Sequence, residues 1–333
     1  LSGSGNKTPA YTTLNASGNL LITGSAILVG ASNTFNVGGN WTNYATAGFT
    51  ESTSTVNFNG TGAQTINTTG GEDFYIVQKS GTGTTTLASG VILGGGASSL
   101  NISAGVLDAS TFTLSGTAST TLVMSGGTLK LAKLGTTLPE FIITPNYNLT
   151  GGTIELNGTG NQVLRGTRTY NNLTFSNSGT KTLSSTLAFN NPALVTIANS
   201  AILDVNNNTF GDANTSLIMT ETSRFITAGT NVKPDMGGAY ALATTSTIEF
   251  SNTAATQEDI RQAPVYGNIV VSGSNVGISS ETGSVSMQSG TSFTVTSSGT
   301  FNVKNINGFT GSTTTAINIT NNPGIVLQPG STI

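Results

Sequence analysis

Three segments of this chain repeat one another at a nearly fixed interval. Tyr170-Asn171-Asn172-Leu173-Thr174-Phe175, with its continuation to Leu183, aligns without a gap to Phe74-Tyr75-Ile76-Val77-Gln78-Lys79 and its continuation to Leu87. Tyr266-Gly267-Asn268-Ile269-Val270-Val271 opens the same way, and Phe74, Tyr170 and Tyr266 stand 96 positions apart. A second block precedes each copy at spacings of 98 and 94: Ser54-Thr55-Val56-Asn57-Phe58 with Gln64, Gly152-Thr153-Ile154-Glu155-Leu156 with Gln162, and Ser246-Thr247-Ile248-Glu249-Phe250 with Gln257. Two blocks recurring in the same order define a super-repeat of roughly 95 residues, and self-similarity at a fixed period is the signature of an array. The expected segments are 54–151, 152–245 and 246–333, with 1–53 a partial copy.

Inside each segment the apolar residues come in bursts of three to five, as in Leu20-Leu21-Ile22, Ile27-Leu28-Val29, Val91-Ile92-Leu93 and Leu122-Val123-Met124. Each burst is bounded by Gly, Asn, Ser or Thr, which marks short strands separated by turns. No segment carries an amphipathic helical stripe; the nearest, Thr256 to Ala263, is too short and has no apolar face. Three such strands would close one coil of a parallel β-solenoid, about four coils to a super-repeat. The expected fold is therefore all-β, one continuous solenoid over 1–333, with a row of tandem β-sandwich domains as the alternative. Strands this short, and a tryptophan that does not recur, favour the solenoid.

Composition agrees with that geometry. Only 8% of the 333 residues are charged, against about 25% in an ordinary globular domain. Ser, Thr, Asn and 43 Gly take up the deficit. In stacked coils like residues lie over like, so Asn, Thr and Ser can form side-chain ladders at the corners, whereas stacked like charges would repel. Apolar residues at 36%, in regular bursts, argue against disorder. The 11 Lys and Arg form no basic cluster, so no nucleic-acid role is expected. No apolar run reaches the length of a membrane span, and none is preceded by a charged segment of the export-signal kind. Leu1-Ser2-Gly3 and Pro329-Gly330-Ser331 read as interruptions of a pattern, an expectation that the sequence is a segment of something longer.

Catalysis has few residues to work with. The chain has no His and no Cys, so the commonest general base, the thiol nucleophile and the usual soft metal ligands are missing, and no cofactor or metal is expected. Two adjacent acid pairs remain, Glu72-Asp73 and Glu258-Asp259. A glycan-cleaving enzyme would need such acids to converge from distant coils; the expectation is instead that they are solvated loop charges and that the protein is not an enzyme. Glu155 and Glu249 occupy equivalent repeat positions between apolar neighbours and are expected to face solvent. Arg165 and Arg168 precede Tyr170, and Arg261 precedes Tyr266, a spacing suited to gripping an anionic glycan or to a stabilised turn. Trp41, Tyr44, Tyr147 and Tyr240 are the candidate stacking platforms for a sugar, with core packing or loop anchoring as the plainer reading. The variable stretches 133–148, with Pro139 and Pro145, and 227–240, with Pro234, are expected to bulge from coil corners.

Gly39-Asn40-Trp41-Thr42-Asn43, Ser54 through Ile66 and Tyr170 through Phe175 resemble the repeats of very large secreted, adhesin-like β-helix surface proteins of Bacteroidetes and related bacteria, which often leave the cell by the type IX secretion route. The resemblance covers most of the chain. It implies a secreted, extracellular or cell-surface location and a structural task as stalk, adhesin shaft or filament subunit. A carbohydrate-binding module using the coil-corner loops is the alternative. The expected partners are further repeats or copies of the chain, head-to-tail, and surface glycans; no membrane insertion is expected.

Overall fold

The structure is a computed structural model that describes residues 1–45, 48–136, 147–166, 168–310, 314–318 and 320–333. Among these residues there is no helix; short parallel strands stack as a β-solenoid of about 13 turns. The backbone forms two compact units, Leu1–Gly158 and Thr159–Ile333. The expected bulge at 133–148, with Pro139 and Pro145, lies mostly outside the described residues.

In unit 1 each turn contributes one strand to each of three faces. The second face is a seven-stranded ladder that begins Thr13–Ala16, Thr34–Val37, Thr55–Phe58, Ile76–Lys79. The third begins Leu20–Ile22, Trp41–Asn43, Gln64–Thr68, Thr84–Leu87. Strand alternation sends every second side chain inward, so one column of the core reads Phe35, Val56, Val77, Leu100, Leu122, each beneath the next in strict register. The outward positions form ladders too. Asn36 Nδ2 donates to Asn15 Oδ1 at 2.8 Å, and Asn57 Nδ2 to Asn36 Oδ1 at 2.9 Å. The asparagine ladder thus runs up the middle of a face, where the sequence pointed to the corners. Unit 2 is built the same way, with one sheet running through Gln162–Leu164, Thr180–Leu183, Ile202–Asp204, Arg224–Thr227, Thr247–Phe250 and onward to Gly324–Leu327.

The super-repeat is longer than four coils by one face. In unit 1 Thr55–Phe58 belongs to the second face, and its repeat Thr153–Leu156 to the third. In unit 2 Asn172–Phe175 and its repeat Asn268–Val271 again lie in different sheets, the later copy on the sheet that follows next along the chain. Each period therefore spans four turns and a third, and a repeated motif moves one face around the axis with every copy. The two recurring blocks are ladder neighbours: Thr55–Phe58 pairs with Ile76–Lys79, and Thr247–Phe250 with Asn268–Val271. Their repetition preserves a stacking contact.

One corner of unit 1 carries glycine in every turn. A Cβ added to Gly38, Gly60, Gly81, Gly105 or Gly152 would run into a backbone carbonyl of the turn beneath. Backbone lies on backbone there, and only glycine leaves room for it. This close approach accounts for a large share of the chain's glycine.

Candidate functional site

Unit 1 has a polar cleft of about 360 Å³ where the Trp41–Asn43 strand turns toward Phe49–Thr50 and the next turn lays down Glu72–Phe74. Alternation turns Glu72 and Phe74 inward and Asp73 outward. Glu72 is consequently 6% exposed, with its Oε2 accepting from the Trp41 indole at 2.8 Å and from Asn43 Nδ2 at 3.0 Å. Beneath it Trp41 packs edge-on against Phe49 and Phe74, with ring centroids 5.0 and 5.3 Å away. Glu51 and Asp73 line the same cleft above a floor that includes Gly70 and Gly71.

Burial dominates the electrostatics of Glu72 and pushes its carboxyl up to about 7, against the two hydrogen bonds, which favour the charged form; Asp73 and Glu51 add to the rise. Asp73 is raised as well, by burial and then by Glu51. The cleft therefore presents a carboxyl that gains and loses its proton near neutrality beside two further acids. Such a surface suits a cationic or hydroxyl-rich ligand. Among the described residues no three acids are grouped so as to hold a metal ion.

The acid pairs are not solvated loop charges. Glu72 and Glu258 sit on strands and point into the core, at 6% and 0% exposure. The equivalent glutamine of the third repeat also shifts: the connection from Phe250 is longer than that from Phe58, so Glu258 and not Gln257 takes the inward place held by Gln64 and Gln162. Glu155 and Glu249 do point outward but are covered by cations of the preceding turn. Lys130 meets Glu155 at 3.2 Å, and Arg224 is ion-paired to Glu249, which also accepts from Ser272 Oγ at 2.5 Å.

The aromatic candidates are not brought together. Trp41 is fully buried and offers no face to a sugar. Tyr44 is 56% exposed and does not line the cleft, although its chain neighbours Asn43 and Ala45 do. Tyr147 is half-buried in the second-face ladder of unit 1. Tyr240, in unit 2, is half-buried with its hydroxyl on the Met236 carbonyl.

The arginine–tyrosine spacing has a structural explanation. Tyr170 and Tyr266 are fully buried, and their hydroxyls donate to the backbone carbonyls of Arg165 at 2.7 Å and Arg261 at 2.6 Å. Each phenol ties its strand to the corner five residues earlier. Arg261 Nε itself donates to the Pro234 carbonyl at 2.6 Å. Tyr170→Phe and Tyr266→Phe are each expected to cost about 1 kcal/mol in urea denaturation, the usual net value of a hydrogen bond whose acceptor stays buried. A change indistinguishable from zero at both sites would remove this account of the corner.

Glu72 yields a signed pH prediction. Its folded value is raised from 4.5 to about 7, so the stabilisation it contributes is complete below about 4.5 and is lost as the pH rises through 7. The span corresponds to stability on the order of 3 kcal/mol. In Glu72→Gln, which keeps an oxygen for Trp41 and Asn43, the part of the pH slope between 5 and 8 that belongs to unit 1 is expected to disappear from denaturation curves.

No protein-family model, no curated protein and no solved structure matches the chain, so the solenoid and its own residues are what bear on function.

Proposed function

We propose that this chain is a structural protein of the cell surface or extracellular space, a stalk, adhesin shaft or filament subunit, and that it is not an enzyme. The observation that carries this reading is the turn-on-turn register of the long parallel ladders in each unit, joined in unit 1 by an outward asparagine ladder and a glycine-rich corner that stack in the same direction. A solenoid of this kind adds about 4.8 Å per turn and makes contacts chiefly between neighbouring turns, so it converts sequence into reach and stiffness. Neutral polar ladders cover its faces without the repulsion that stacked charges would bring. The resemblance to secreted repeat proteins supports the same location. Partners in this reading are further turns of the same kind, from a longer chain or from copies of this one, added by the same parallel strand pairing.

Antibodies raised against unit 1 are expected to label intact source cells or their shed surface material, and protease treatment of intact cells is expected to remove the label. Labelling that needs lysis would overturn the reading. A second reading, glycan binding, draws on exposed Tyr44, whose chain neighbours line an acidic cleft. It predicts a glycan-array signal that Tyr44→Ala abolishes and Tyr240→Ala leaves intact.

A further inference from the structure

Gln64 shows what one buried position does in unit 1. Its Nε2 donates to the carbonyls of Val37 at 2.8 Å and Gly39 at 2.7 Å, and its Oε1 accepts from Gly60 N and Thr85 Oγ1, both at 3.2 Å. One side chain, acting as donor and acceptor, binds three successive turns together.

In unit 2 Glu258 stands in the corresponding place. It is the first inward residue of its strand, and its Oε2 accepts from the amide of Asn252 at 3.2 Å. Asn252 follows the Thr247–Phe250 strand as Gly60 follows Thr55–Phe58. Thr227 lies beneath Phe250 as Val37 lies beneath Phe58, but its carbonyl already accepts from Ser251 N at 2.8 Å and Ser251 Oγ at 3.0 Å, so the Thr227 hydroxyl, not its carbonyl, faces the Glu258 carboxyl. Glu258 is 0% exposed, and neither its Oε1 nor the buried Thr227 Oγ1 makes a well-formed hydrogen bond. A carboxylate has no hydrogen to give; a carboxylic acid has one.

We propose that Glu258 is a proton-operated latch of unit 2. Protonated, it does the work of the glutamine, accepting from Asn252 and donating through Oε1 toward Thr227. Ionised, it keeps the Asn252 amide and the Thr227 hydroxyl as donors but leaves a charge with no water around it in the core, and the turn between Thr247–Phe250 and Val276–Ile278 loosens.

The neighbours are consistent with a latch that moves near physiological pH. Lys233, on the strand paired with Glu258–Ile260, favours the charged form but is ion-paired to Asp235, which opposes it. Asp259 turns to the other side and accepts from Gln257 Nε2 at 2.6 Å and Ser279 Oγ at 2.7 Å. The strand on the far side, Val276–Ile278, has no charged residue. Burial outweighs the Thr227 hydroxyl and the Asn252 amide, which favour the charged form more than Lys233 does, and the carboxyl is pushed up from 4.5 to about 8. The latch is fully closed below about 4.5 and opens as the pH rises through 8.

The test uses the whole chain. Hydrogen-exchange protection of the amides of Asn252 and Glu258–Ile260 is expected to fall at least tenfold between pH 6.5 and 9.5, after correction for the intrinsic exchange rate, while in a Glu72→Gln background, which removes the pH response of Glu72, the equivalent amides of unit 1 around Gln64 keep theirs. Glu258→Gln is expected to hold its protection across the whole range. The same loss in Glu258→Gln, or no loss in the wild type, would overturn the proposal. Should the variant fail to fold, carbon NMR of the wild-type glutamate carboxyls decides. One resonance titrating near 8, separate from that of Glu72, which Glu72→Gln removes, supports the latch. Every remaining carboxyl titrating below 6 sinks it.

Discussion

Gly105→Ala is expected to be among the most damaging single-methyl additions this chain can receive, at about 2 to 5 kcal/mol in the unfolding of unit 1. Two penalties add. Gly105 has φ +63°, where an L side chain is strained by about 1 to 2 kcal/mol. A Cβ there would also run into the carbonyl oxygens of Gly81 and Gly83 in the turn beneath. Those atoms cannot swing away as a flexible side chain would, because Gly83 O accepts the Val106 amide at 3.1 Å and Gly105 O accepts the Thr128 amide at 2.8 Å. The methyl must lift one turn off the other, and overpacking of that kind typically costs about 1 to 3 kcal/mol. Gly62→Ala is the control: its φ is not in the left-handed region and nothing lies within 4 Å of the added carbon, so a change within about 0.5 kcal/mol is expected. Urea denaturation of the two variants checks both values. Equal, small effects would mean that the turns do not stack on their glycine corner.

Trp41→Ala is expected to cost about 5 kcal/mol or more and to act on the pH dependence as well as on stability. The indole is fully buried between Phe49 and Phe74, and emptying such a site typically costs about 3 to 5 kcal/mol. The variant also strips Glu72 of one of its two donors, leaving a buried carboxyl with Asn43 alone, a further loss of about 1 to 3 kcal/mol. Because that donor favours the charged form, Glu72 is expected to hold its proton to higher pH in the variant than in the wild type. Trp41→Phe separates the two effects, since it keeps most of the volume and loses only the N–H. An unchanged pH profile in both variants would show that the indole does not hold the carboxyl.

The solenoid was legible because its evidence is periodic. Bursts such as Val91-Ile92-Leu93, closed by small-residue turns and repeated with no helical stripe between them, admit few folds other than short strands wound into coils. The extra third of a turn was not legible, since the number of residues per coil varies at the corners and only register shows which face a copy reaches. The buried acids were misread although the needed rule was at hand. Neighbours on a strand point to opposite sides, so of Glu72 and Asp73 one had to go inward. Which one depends on Phe74, whose ring belongs to the core and sets the phase of its strand. For Trp41 the plainer reading, core packing, holds, and register gives the reason: Trp41-Thr42-Asn43 lies over Leu20-Leu21-Ile22, and the buried ends of that lower strand place the indole inside. The substitution of Glu258 for a glutamine was hidden by the longer connection from Phe250, which makes the conspicuous residue, Gln257, the wrong one. Lys79 and Lys181 give the same lesson. Both are fully buried, and their ammonium groups donate to corner carbonyls, Gly81 O at 2.5 Å for the first and Gly160 O and Ser178 O at 3.0 and 2.9 Å for the second. No charge count shows a lysine turned inward to cap a corner.

The most direct test of the structural role is cryo-electron microscopy of the native surface material, at a resolution that separates neighbouring turns. A shaft or filament of stacked turns gives elongated density with a ladder of about 4.8 Å spacing along its length, flanked by further density of the same kind. Compact particles without that ladder, or solenoid density enclosed on every side by unrelated domains, would contradict that role.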